Sequence, residues 1–144
     1  MDEKCLFCRI VSGELPATIV YEDDDAVAFL DHRPLFPGHT LLVPRQHLET
    51  LGELDTKLVG PYFEAAQLLA RVVESAMDAE GTFVAMNNRV SQSVPHLHVH
   101  VVPRRRKDGL KGFFWPRTKY KGEEEMEEVR SKIAAALQKE RTKK

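Results

Sequence analysis

His96, His98 and His100 alternate with Leu97 and Val99 inside the run Gln92-Ser93-Val94-Pro95-His96-Leu97-His98-Val99-His100-Val101-Val102-Pro103. Imidazole changes charge near neutral pH, so it can act as nucleophile, proton carrier or metal ligand under physiological conditions. A period of two with aliphatic spacers predicts a strand. On a strand the three imidazoles share one face, and Leu97, Val99 and Val101 share the other. Each ring brings two nitrogens that need partners, and leaving them unpaired away from water costs free energy. A row of three therefore implies a metal, a phosphate or a catalytic task rather than an exposed face with incidental histidines. Half of the six histidines in the chain sit in this one pentapeptide.

Cys5-Leu6-Phe7-Cys8 is a second chemical motif. By itself a C-x-x-C is a redox pair, half of a zinc site, or two free thiols. A thioredoxin-like motif usually follows a strand and opens a helix, whereas this one stands almost at the start of the chain. Zinc needs two further ligands, and histidines are available downstream. The motif's place in the chain and the available histidines favour metal over redox chemistry, with two free thiols left open. His39 ends the proline-bounded segment His32-Arg33-Pro34-Leu35-Phe36-Pro37-Gly38, a way to deliver a side chain to a strand start. Taken alone, it would be an ordinary surface histidine.

The elements that must position these residues are legible in outline. Thr18–Tyr21, Ala26–Asp31, Thr40–Pro44 and Thr82–Met86 are short β-rich runs bounded by turn residues. From Asp55 to about Met77 the apolar residues Leu58, Tyr62, Ala65, Ala66, Leu69, Val72, Val73 and Ala76 fall at helical spacing, with Asp55 as N-cap. Gly60-Pro61 interrupts the pattern, so the helix either starts there or is kinked. Glu80-Gly81 is read as its end. Asn87–Ser91 is a tight connection into the histidine strand. Arg104–Gly112 is a basic loop, best read as a solvated charge run. Phe113-Phe114-Trp115-Pro116 is an aromatic cluster expected to cover the pocket or a partner surface. Glu123–Lys143 carries Met126, Val129, Ile133, Ala136 and Leu137 at helical spacing, a C-terminal helix with one apolar stripe.

At 144 residues, 42% hydrophobic and 30% charged, the chain suits one globular domain with a real core, 1–144. A net charge of −1 argues against a nucleic-acid partner. No apolar run approaches a membrane span, and no secretory signal is visible at Met1-Asp2-Glu3-Lys4. The expectation is a cytoplasmic protein with no membrane partner.

His-φ-His-φ-His-φ-φ at 96–102, where φ is hydrophobic, resembles the histidine-triad (HIT) family. Gln92-Ser93-Val94, Pro37-Gly38-His39, the N-terminal Cys-x-Phe-Cys and Pro44-Arg45-Gln46-His47 reinforce the likeness, which covers residues 5 to about 103. It implies an α+β fold, an antiparallel sheet of about five strands with one long helix, here followed by a C-terminal helix after the tail that starts at Arg104. It also implies a homodimer. By resemblance, His98 is the nucleophile that attacks the α-phosphorus of a purine nucleotide. The nucleotidyl-histidine is then hydrolysed to a nucleoside monophosphate such as AMP. His100 and His39 flank the phosphate, and Ser93 hydrogen-bonds the phosphate or the leaving group. Leu6, Phe7, Ile10 and Phe29 clamp the base with His32 at its edge, Asp31 accepts the ribose hydroxyls, and Asn87 and Gln92 belong to the nucleotide-binding set. Zinc-bearing relatives imply a structural Cys₂His₂ ion on Cys5, Cys8, His47 and His96.

Two departures stand out. The connection from Asn87 to Gln92 is shorter than in the Hint-type phosphoramidase branch, with Ser91 where glycine is common. The Arg-rich, aromatic segment from Arg104 to Tyr120 also differs and is expected to shape the leaving-group side. The preferred expectation is a nucleotide hydrolase or phosphoramidase acting at an α-phosphate. The alternatives are a dinucleoside polyphosphate hydrolase of the Fhit type, a nucleotidyltransferase, and a nucleotide binder without activity.

Overall fold

The computed structural model describes residues 2–110 and 117–143. The chain divides into two units, 1–108 and 109–144. The first contains α1 (Leu6–Val11), β1 (Ile19–Glu22), β2 (Ala26–Leu30), β3 (Thr40–Pro44), a 3₁₀ turn (Leu51–Glu53), α2 (Thr56–Ala76), β4 (Gly81–Ala85) and β5 (Val99–Arg104). The second contains α3 (Glu123–Thr142). The strands form one antiparallel sheet in the order β1-β2-β3-β5-β4.

The sheet is buried on both faces at its centre, which explains why β2 and β3 read as continuous apolar runs. Alternate residues separate cleanly. Ala26, Ala28, Leu42, Leu97, Val99 and Val101 pack with Tyr62, Ala65, Ala66, Leu69 and Val73 of α2. Val27, Phe29, Leu41 and Val43 pack on the other face with Cys5, Phe7 and Cys8. The buried Tyr62 hydroxyl donates to the Leu42 carbonyl at 2.7 Å, locking α2 to β3.

Two sequence expectations are corrected at their edges. The strand with the histidines begins at Val99, not at His96. Before it the chain turns, with the His96 amide donating to the Val94 carbonyl and the Leu97 amide to the Leu48 carbonyl, both at 2.8 Å. The alternation still holds, because Leu97 stays with Val99 and Val101 on the α2 side. Helix α2 ends at Ala76 rather than at Glu80-Gly81. Asp78 takes the left-handed conformation there (φ 50°), a place glycine usually fills, and Gly81 instead opens β4. Asp55 does cap α2, accepting from the Lys57 amide, and the helix runs on through Pro61. Helix α1 was not foreseen. Its cap is the Cys5 sulfur, which accepts from the Cys8 amide, so the cysteine motif is itself a helix start.

The arginines of the basic loop are held by neighbours. Arg104 makes a two-pronged pair with Asp108 at 2.6 and 3.1 Å, Arg105 donates to the Met77 carbonyl at the end of α2, and Arg106 pairs with Glu80 at 2.6 Å. Within the second unit, α3 carries Glu123, Glu124 and Glu125 in its first turn and Lys139 and Arg141 in its last, complementing the helix dipole. The aromatic cluster 113–116 lies outside the described residues. Among the described residues, no helix is long and apolar enough to cross a membrane.

Candidate active site and metal centre

A cavity of about 730 Å³ opens on the α1 face of the sheet. Leu6, Phe7 and Ile10 of α1 and Phe29 of β2 give it an apolar wall, and Asp31, His32, Ser93, His98 and His100 add polar groups. The strand order explains the convergence. Asp31 leaves β2, His39 enters β3 and His100 lies on β5, three neighbours in the sheet. The Asp31 amide donates to the His39 carbonyl at 2.9 Å, and Leu41 is opposite His100 in the ladder.

Hydrogen bonds fix where the protons lie. His98 Nδ1 is 2.8 Å from the His96 carbonyl. A carbonyl only accepts, so Nδ1 carries the proton and Nε2 keeps a free lone pair in the neutral ring. The Leu35 amide donates to His39 Nδ1 at 3.1 Å, which leaves the His39 proton on Nε2. That atom is 2.9 Å from His100 Nδ1, so it donates there and the proton of His100 sits on Nε2. Burial holds His39 and His98 below the usual histidine range and pulls His100 down to about 4, with neighbouring imidazoles opposing charge on His39 and His100. All three are neutral near pH 7. The site thus pairs an unprotonated ring nitrogen on His98 with a relay that ends in an N–H on His100.

Asp31, His39 and His100 also have donor atoms within 4.8 Å of one another. They do not make a good cation site, because the atom of His39 that faces the group is the protonated one. Asp31 Oδ2 stands 3.8 Å from it, and Oδ1 accepts from the Arg33 amide at 3.0 Å.

A second cluster lies beside the first. Cys5 Sγ is 3.4 Å and Cys8 Sγ 3.5 Å from His96 Nδ1, Cys8 Sγ is 3.3 Å from His47 Nδ1, and the two Nδ1 atoms are 3.3 Å apart. Tetrahedral bonds of about 2.0 Å to nitrogen and 2.3 Å to sulfur give edges of about 3.3 Å between nitrogens and 3.5 Å between nitrogen and sulfur. The four donors already stand at such edges. His96 Nε2 donates to the Pro44 carbonyl at 2.8 Å, which leaves its Nδ1 lone pair aimed into the cluster. Burial pulls His96 down to about 4, so this lone pair stays free of a proton. His47 Nε2 has Asp2 at 3.9 Å. Backing of ligand rings by carbonyls and carboxylates is the usual arrangement around a bound metal. The donor set fits a closed zinc site.

Asn87 and Gln92 are not among the residues lining the cavity. Asn87 donates to the Ser91 carbonyl at 3.1 Å. Gln92 accepts from the Arg89 amide and donates to the Glu49 carbonyl, both at 2.7 Å. They brace a connection in which Arg89 and Ser91 adopt left-handed conformations. The cavity wall also contains Thr18, Arg33 and Pro34, which the sequence reading passed over. Arg33 had a signal in its adjacency to Asp31 and His32. Thr18 had none beyond preceding a strand.

The family model described as HIT domain matches residues 12–107. A crystal structure of a HIT-family member from Bacillus subtilis is 37% identical, covers 92% of this chain and 96% of its own, and has a TM-score of 0.83. A Zn-bound histidine triad family protein from Mycobacterium smegmatis is 35% identical over 94% of this chain and 96% of its own, with a TM-score of 0.70. The adenosine 5'-monophosphoramidase hnt1 of Schizosaccharomyces pombe is 33% identical over 134 residues, 90% of this chain and 98% of that protein. The chain belongs to the HIT family, and its five-stranded sheet with helices is the fold of that family.

Proposed function

We infer that the protein is a nucleotide hydrolase that cleaves at the α-phosphate of a purine nucleotide and releases a nucleoside monophosphate such as AMP. The observation that carries this reading is the free Nε2 of His98 in a cavity that also presents the Nε2–H of His100. His98 Nε2 attacks the α-phosphorus, a P–N bond forms, and the bond to the leaving group breaks. The ring keeps its Nδ1 proton on the His96 carbonyl, so the charge that develops on the imidazole is met by an acceptor already in place. His100 donates to a phosphate oxygen, with His39 holding its orientation. Ser93 supplies the hydroxyl to the phosphate or the departing atom. Water then attacks the phosphorus, and His98 is regenerated. Two moderate barriers replace one high one. Leu6, Phe7, Ile10 and Phe29 are the base clamp in this scheme, with His32 at the edge and Asp31 on the ribose. The bracing bonds of Asn87 and Gln92 give them a supporting part, shaping the phosphate end.

The phosphoramidase relative supports an adenosine phosphoramidate as substrate. A second reading, hydrolysis of a dinucleoside polyphosphate, is favoured by Arg33. It lines the cavity, and among the described residues no hydrogen bond or ion pair occupies its guanidinium. A longer phosphate chain offers it a partner. Zinc on Cys5, Cys8, His47 and His96 is structural in this scheme and pins α1 to the turn that leads into β5. The same reading makes the protein a single-domain cytoplasmic homodimer, with the exposed Phe63, Leu68 and Val72 of α2 and Val84 of β4 as the apolar surface available to a second copy.

The test is AMP release from an adenosine phosphoramidate and from a diadenosine polyphosphate. Faster turnover of the phosphoramidate supports the first reading. Preference for the dinucleotide, with a selective loss of that preference in Arg33→Ala, supports the second. Release from neither contradicts both.

A further inference from the structure

The metal-ligand cluster and the catalytic cavity share parts. His96 contributes its ring to the cluster, while its backbone carbonyl fixes the proton of His98 at 2.8 Å. Cys5 and Cys8 enclose Leu6 and Phe7 in sequence, and both of these line the cavity. Phe7 is buried between the two centres. Its ring stands edge-on to His98 at 5.1 Å, to His96 at 6.0 Å and to Phe29 at 5.3 Å.

We propose that Cys5, Cys8, His96 and Phe7 are positioning residues for the reaction, so that metal and nucleotide bind cooperatively through Phe7. This rests on the nucleotide reading of the cavity and goes beyond a metal that merely staples the chain. Ligation fixes the ring of His96, and with it the carbonyl that orients His98. It also fixes the first turn of α1, and with it the side of the cavity formed by Leu6 and Phe7. A base inserted against Phe7 presses on the same ring from the other side and holds the ligand geometry in return. Coupling between two binding equilibria is reciprocal by thermodynamic necessity. Nucleotide must therefore tighten metal by the factor by which metal tightens nucleotide.

The experiment measures zinc affinity of the full chain by competition with a chromophoric chelator, with and without saturating AMP. The expected result is about a tenfold tightening by AMP, within the usual range for coupled sites. In Phe7→Leu, which keeps an apolar side chain, saturating AMP should change zinc affinity less than about twofold. A tightening of less than twofold in the wild type, in a protein shown to bind AMP, overturns the proposal and leaves the nucleotide reading standing. An equal tightening in Phe7→Leu also overturns it, because the coupling would then be a general effect of ligand on folding. If the zinc-loaded protein binds no AMP, the nucleotide reading falls and takes the proposal with it.

Discussion

At the scale of single residues, the site depends on which nitrogen carries each proton. Three imidazoles of the same type acquire different tasks because one faces a carbonyl, one a backbone amide and one another imidazole. His98→Ala removes the only free ring nitrogen assigned as nucleophile, and kcat should fall on the order of 10³-fold or more, measured as AMP release. His100 gives a prediction about pH. Its folded value is about 4, and an unfolded histidine titrates near 6.5. The unfolded chain therefore binds the proton first as pH falls, and the contribution of the neutral ring is present above about 6.5 and lost between there and about 4. Urea midpoints should drop from pH 7 to pH 5, and the drop should be smaller in His100→Asn. Equal drops in the two proteins would show that His100 does not titrate in this way.

At the scale of elements, the site is placed by turns and caps more than by strand interiors. Gly38 has φ +100°, and a Cβ there would stand 2.6 Å from Met77 Cγ. Gly38→Ala should cost roughly 1–3 kcal/mol in urea unfolding through strain and overpacking, and should also disturb the adjacent His39. Little change in stability would mean that Met77 yields freely. Asp55→Ala removes the α2 cap and should cost about 1 kcal/mol in the same assay. These elements differ in how far their sequence announces them. Alternation reveals the side of each residue around β5, since Leu97, Val99 and Val101 need an apolar neighbour whatever the strand limits, while β2 and β3 are announced by short apolar runs between turn residues. The stripe from Leu58 to Ala76 reveals α2. The ends are less visible, because Asp78 adopts a conformation that glycine would have advertised. Helix α1 is hidden because its cap is a cysteine with a second role.

At the scale of the whole molecule, two chemical centres grow from one sheet face, and His96 belongs to both. Resemblance to zinc-bearing HIT proteins points to Cys5, Cys8, His47 and His96 as a candidate set, whereas residue types alone leave the cysteine pair open between metal, redox and free thiols. The hydrogen-bond relay through Leu35, His39 and His100 was not legible, since it depends on a backbone amide five residues after the last residue of β2. Arg33 was missed for a related reason: whether a loop arginine faces solvent or a cavity is decided by tertiary structure. The donor spacing makes metal removal a test of the first unit as a body. Chelation should lower the thermal midpoint of the full chain, and added zinc should restore it, because ion binding favours the ordered site. An unchanged midpoint would remove the metal from the account of stability.

The central claim is the covalent use of His98. The most direct measurement is mass spectrometry of the protein quenched in denaturant during turnover of an adenosine phosphoramidate, with peptide mapping of any adduct. The account predicts a transient adenylyl group on the peptide containing His98, absent from His98→Ala. Steady AMP release without such an adduct, or an adduct on another residue, would contradict it.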